Sequence, residues 1–163
     1  MSRTMSLVTR SEAHWPMSDD DSVPALAGFV VSDFSPLVAE VARRCLEQVT
    51  VSPRTAVIIV SATGDLQTAT AIGRAVDAGQ RPGPLLFYQA VPNAVAGYIA
   101  AKYGLAGPVV CLGPQAPGTA EGLAVASLLV RDGDADEALI ISVEQELVAG
   151  EKGRATALLV RGC

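Results

Sequence analysis

Hydrophobic positions change period several times along the chain, and each change marks an element. In "SPLVAEVARRCLEQV" the apolar residues Leu37, Val38, Val41, Cys45, Leu46 and Val49 recur at spacings of three and four. That period predicts an amphipathic helix, with Ser35 as N-cap and Pro36 at the first helical position. "TAVIIVSAT" (55–63) is continuous, β-branched and bounded by Pro53 and Gly64, as in a strand buried on both faces. A helix is predicted from near Asp65 to Gly79, with Leu66, Ala69, Ile72, Ala75 and Val76 on one side. "RPGPLLFYQAVP" reads as a loop, and Asn93–Tyr103 as a helix closed by Gly104. "VVCLG" is then a strand, Gly118–Val130 a helix, "EALIISVE" a strand, and "RATALLVR" a last strand reached through "VAGEKG". Before all of these, an apolar patch at Leu7-Val8 predicts a short edge strand. In the loop "HWPMSDDDSVP", Pro16, Asp19-Asp20-Asp21 and Pro24 oppose regular structure.

This order predicts an α/β fold with a mixed, mostly parallel five-stranded sheet and helices on both faces. At 163 residues, half of them hydrophobic, the expected organisation is one domain over residues 29–163, with residues 1–28 as edge strand and flexible loop. The Gly118–Val130 helix makes a further demand. Leu123, Ala124, Val125, Ala126, Leu128, Leu129 and Val130 leave almost no polar stripe, and one sheet covers only one side of a helix. A second subunit is expected to supply the other layer.

A net charge of −5 without a Lys/Arg cluster argues against nucleic acid or an anionic membrane as partner. No segment approaches the about 18 apolar residues of a membrane helix, and Met1–Ser11 lacks the apolar core of a signal peptide, so the cytoplasm is the expected compartment. Cys45, Cys111 and Cys163 are an odd number without CxxC spacing, which favours neither disulfides nor zinc. Cys45 falls on the apolar face of a helix, and Cys163 ends the chain. Cys111, flanked by Val109, Val110 and Leu112, reads as a buried strand residue. His14 has no visible orienting partner and is expected at the surface, and the Asp19–Asp21 run is expected to be solvated. No Walker, GxGxxG, GxSxG or HExxH motif is present, and neither cofactor nor metal is expected.

Three stretches resemble the N-terminal half of a β-ketoacyl synthase, a condensing enzyme of the thiolase-like superfamily. They are "VIIVSATGDLQTATAIGRAV", "FYQAVPNAVAGYIAAKYGLAGPV" and "RDGDADEALIISVE", all within the segment Thr55–Glu144. In that register the family's nucleophilic cysteine falls on Ala116 and the residue before it on Gln115. A methyl group cannot attack a thioester. Chain length factors, the inactive partners of type II polyketide synthases, are similar in carrying Gln near this position. The resemblance also implies that the catalytic histidines belong to a second half with no counterpart here. Finally, it implies that Val109, Val110, Cys111, Leu112 and Gly113 form a strand pairing antiparallel across a twofold axis.

The expected role is therefore a catalytically inactive, half-length ketosynthase-like scaffold or chain-length-factor-like subunit. Its partner would be a second copy or a ketosynthase-type subunit, with acyl carrier protein as a further contact. Two alternatives stay open: a small acyltransferase or cyclase using Cys111 or the turn at Gln115, and a self-assembling structural module. At the turn, Gln115 either donates its amide to an acyl carbonyl or merely fills space, Gly118 relieves crowding, and Pro92 and Asn93 shape the turn before their helix.

Overall fold

The computed structural model describes residues 5–146 and 151–163. Five strands, β1 (Leu7–Trp15), β2 (Thr55–Val60), β3 (Val109–Leu112), β4 (Glu137–Glu144) and β5 (Arg154–Gly162), form one sheet in the order β1-β5-β4-β2-β3. β2 pairs in parallel with β3 and β4, while β5 is antiparallel to β4 and β1. The sheet is therefore mixed, with two parallel and two antiparallel pairings. The parallel pairings need long crossovers. One runs through α2 (Leu66–Asp77), α3 (Pro84–Ala90) and α4 (Pro92–Tyr103); the other is α5 (Ala120–Arg131), which carries the chain past β2 to β4. With α1 (Phe34–Leu46), the helices cover both faces.

Strand alternation divides the core. Val57, Ile59, Leu139 and Ile141 face α1 and α4, whereas Ala56, Ile58, Val60, Ala138 and Ile140 face α5. All six residues of β2 are buried, as the continuous apolar run requires. Two glycines permit close approach. A Cβ on Gly107 would lie 2.5 Å from the backbone carbonyl of Thr55, and one on Gly122 would lie 2.6 Å from Ile140 Cγ2. The first lets the chain cross the start of β2 on its way into β3, and the second seats α5 on the sheet.

Several elements depart from the sequence pattern. α1 begins at Phe34, so Ser35 is not its N-cap and lies buried inside the first turn. α5 begins at Ala120 rather than Gly118, whose φ of +138° is incompatible with a helix. The stretch 84–90 is helical, not a loop: Pro84 sits at the first position, where its missing N–H costs nothing. Its apolar side chains point outward, with Leu85, Phe87 and Tyr88 each more than half exposed. α2 opens at Asp65, where the pattern predicts, with Asp65 as its N-cap, but only Thr68 in it is buried, so its apolar side lacks the cover that the pattern implies. The N-terminal strand runs on through His14 to Trp15, because ladder bonds to Ala155 and Thr156 hold what the local sequence disfavours. Asp21, expected to be solvated, is clasped by Arg44, with Nη1 and Nη2 donating at 2.8 and 2.9 Å. That bidentate pair holds its carboxyl well below the usual range. Glu40, nearly buried, receives both Arg43 and Arg44 and is likewise lowered, chiefly by the Arg43 hydrogen bond.

Residues 148–150 of the expected "VAGEKG" connection lie outside the described residues. Among the described residues no helix is long and apolar enough to cross a membrane.

Candidate functional site

The parallel strands β2, β3 and β4 end together, and the loops that follow them build the region where ligands of open α/β sheets gather. The turn after β3 spans residues 113–119. Pro114 is buried, whereas Gln115, Ala116, Pro117 and Gly118 are all exposed. Gln115 neither fills a cavity nor bonds to a neighbour among the described residues. At the point of the turn the structure presents the Ala116 methyl group and the Gln115 amide to solvent, just ahead of the start of α5.

Beneath the turn lies a cleft of about 460 Å³ lined by Pro117, Gly118, Ser142, Glu144, Arg154 and Thr156 among others. Its polar wall is organised by the ends of β4 and β2. Glu144 accepts from Ala62 N and from Thr63 Oγ1 (2.8 Å), and Ser61 Oγ accepts from Gly64 N at 2.9 Å. Behind it a buried network is fully paired. Asp65 accepts from Ser32 Oγ (2.6 Å), Thr68 N (3.0 Å) and Thr68 Oγ1 (2.8 Å). Gln145 donates to Ser32 Oγ at 3.0 Å and accepts from Gln67 N at 3.2 Å. Such a network ties the start of α2 to the end of β4 and the loop before α1; with every member satisfied it is a lock rather than a reagent. The sequence signalled a helix opening near Asp65, but Ser32 and Gln145, separated by more than a hundred residues, carry no local signal.

Cys111 corrects the reading of a buried strand residue. β3 is an edge strand, and Val109 and Cys111 are exposed while Val110 and Leu112 pack toward α5. The Cys111 thiol donates to Asn93 Oδ1 at 3.0 Å on the α4 side, so Asn93 anchors a side chain besides opening its helix. Burial of that side pushes the thiol up, the reverse of an activated nucleophile. Cys45 is fully buried and its thiol is raised for the same reason. Cys111 does not line the cleft under the turn.

The expected pairing strand, Val109 to Gly113, thus sits where one more strand fits. Pro108 O and Leu112 O accept from Val57 N of β2 and from Ser61 N just after it. By alternation, the backbone N–H and C=O of Val109 and Cys111 point off the sheet. α5 presents a further apolar surface: only Gly122 and Ala126 are buried, and Leu128 is 48% exposed. The uncovered helix side anticipated from composition is present.

A profile of the β-ketoacyl synthase N-terminal domain matches residues 7–150, which take in β1 to β4 and α1 to α5 but not β5. The chain belongs to that family. Among solved structures, it is similar to a chain in the ketosynthase (ApeO) complex with its chain length factor (ApeC) from Xenorhabdus doucetiae, with a TM-score of 0.75 at 17% identity. That alignment covers 97% of this chain and 79% of the other, so the matched subunit is itself short. The ishigamide ketosynthase/chain length factor follows with a TM-score of 0.69 and 19% identity, covering 90% of this chain and 48% of that one. A type II polyketide acyl carrier protein in complex with its ketosynthase (AntDE:AntF) has a TM-score of 0.67 at 14% identity, with 98% and 63% covered. At these identities the likeness establishes the fold. A search of curated proteins finds no match.

Proposed function

We propose that the chain is a half-length partner subunit of a ketosynthase, acting as a chain length factor does and performing no condensation itself. The observation that carries this reading is the match to a short subunit within a ketosynthase–chain length factor complex. Three features of the chain support it. The turn that would present the condensing nucleophile presents Ala116 and Gln115 to solvent. The edge strand β3 offers unpaired backbone groups at Val109 and Cys111, and α3 and α5 expose apolar side chains that a partner would cover. In this reading β3 extends the partner's sheet antiparallel across a twofold axis, and contact with acyl carrier protein comes through the assembled pair.

The test is co-expression with a full-length type II ketosynthase, followed by size exclusion with light scattering. A one-to-one complex is expected, and Cys111→Lys should dissociate it by placing a charge at the centre of the paired strand while leaving the β2–β3 ladder intact. A chain that stays a soluble monomer and ignores the ketosynthase would overturn the proposal. A defined homodimer with no ketosynthase binding would instead make the second copy the partner.

A further inference from the structure

His14 and Thr156 face each other across the antiparallel β1–β5 pair, so their side chains leave the same face of the sheet. His14 Nδ1 lies 3.1 Å from Thr156 Oγ1, and His14 Nε2 lies 2.8 Å from Glu12 Oε1. The carboxylate can only accept, so Nε2 carries a hydrogen. In the neutral ring Nδ1 then holds the lone pair, and the Thr156 hydroxyl is the donor. A carboxylate, an imidazole and a hydroxyl therefore stand in sequence, with the imidazole oriented to receive the hydroxyl proton.

Thr156 also lines the cleft beneath the β3–α5 turn, together with Ser142 and Arg154. Arg154 is two positions back on β5, shares the face and lines the same cleft, which puts a positive charge on the cleft wall that holds the hydroxyl. The carboxylates of Glu144, Glu146 and Glu151 and the cations Lys152 and Arg154 line the same cleft, and the net excess of negative charge disfavours anionic acyl chains.

We propose that Glu12, His14 and Thr156 form an acyl-ester-cleaving site, distinct from the empty nucleophile position at Ala116, that takes uncharged acyl esters or thioesters. Thr156 Oγ attacks the acyl carbon, forming a carbon–oxygen bond as the bond to the leaving thiolate or alkoxide breaks. His14 Nδ1 takes the hydroxyl proton and returns it to the leaving group, while Glu12 holds the imidazolium and Arg154 faces the developing oxyanion. Water then attacks the threonyl ester with His14 again as base, which releases the carboxylic acid and restores Thr156. Thr156 and His14 are the catalytic residues of this proposal, and Glu12 is a positioning residue. The inference is independent of the partner reading above.

The His14 and Glu12 side chains are about half exposed, at 52% and 50%, so the base works in water and its contribution belongs at the low end of general-base effects, about 100-fold. The experiment uses the purified full chain with p-nitrophenyl butyrate and the butyryl thioester of N-acetylcysteamine. Hydrolysis above the buffer rate is expected for wild type, with intact-mass detection of one butyryl group on the chain. His14→Ala should lower kcat about 100-fold. Glu12→Gln should lower kcat with KM unchanged, and Thr156→Val should abolish both turnover and the butyryl adduct. Thr156→Ser should restore the adduct. Valine keeps the β-branched shape of threonine in the strand, so its unfolding midpoint should match wild type. Neither probe being hydrolysed, or hydrolysis that survives His14→Ala and Thr156→Val, would overturn the proposal.

Discussion

Replacing Gly122 with alanine tests how the helix behind the turn is seated. The added Cβ would lie 2.6 Å from Ile140 Cγ2 and 3.0 Å from Val60 Cγ2, where about 3.5–4.0 Å is ordinary contact, so either α5 or two β-branched core residues must move. Overpacking of this kind costs about 1–3 kcal/mol. Removing a glycine from a helix returns about 0.5–1 kcal/mol, which at the middle of that overpacking range leaves a net loss of about 1–1.5 kcal/mol. For a domain of this size that is a fall in Tm of about 3–6 °C. Gly97→Ala is the matched control, because Gly97 is exposed in α4 and an added Cβ there meets nothing within 4 Å. It should gain about 0.5–1 kcal/mol. The two variants thus carry opposite signs from the same chemical change. Trp15, the single tryptophan and only 6% exposed, reports urea unfolding by fluorescence. If Gly122→Ala is as stable as wild type, or moves in the same direction as Gly97→Ala, the close seating of α5 on β2 and β4 is wrong.

Two further outcomes follow from the charges and thiols. The Asp21 carboxyl is lowered by Arg44, so its contribution to stability is present above its unfolded value near 4 and is lost as pH falls from there toward the folded value. Asp21→Asn should therefore flatten the acid side of the stability profile between about pH 4 and pH 2 and lower stability at neutral pH; an unchanged acid limb would remove the Arg44 clasp from the account. Under native conditions iodoacetamide should leave Cys45 unmodified and label Cys111 slowly, since the one is fully buried and the other exposed with its thiol pushed up. Peptide mapping after alkylation decides the order, and protection of Cys111 on adding a ketosynthase would locate the interface at β3.

Short-range patterns were sufficient wherever an element's own periodicity set its burial. The continuous apolar runs of β2 and β4, the amphipathic face of α1, and the glycine that closes α4 were legible because each is local: the side chains that must be hidden lie within one strand or one helix. The turn after β3 was equally legible as a turn, and the structure leaves its Gln115 and Ala116 exposed. Only the resemblance, not the residue pattern, pointed to β3 as a pairing edge, and tertiary structure decided which of its side chains are exposed there. "VVCLG" reads like any buried strand, and only the order β1-β5-β4-β2-β3 leaves Cys111 exposed against Asn93. It likewise brought Glu12 and His14 to Thr156, and Ser32 to Asp65 and Gln145, through contacts made by ladder pairing and loop packing across long sequence separations. Periodicity states which side of a strand is hidden; which strand becomes its neighbour is chosen by the packing of the whole sheet, and the polar clusters of this chain form across those choices.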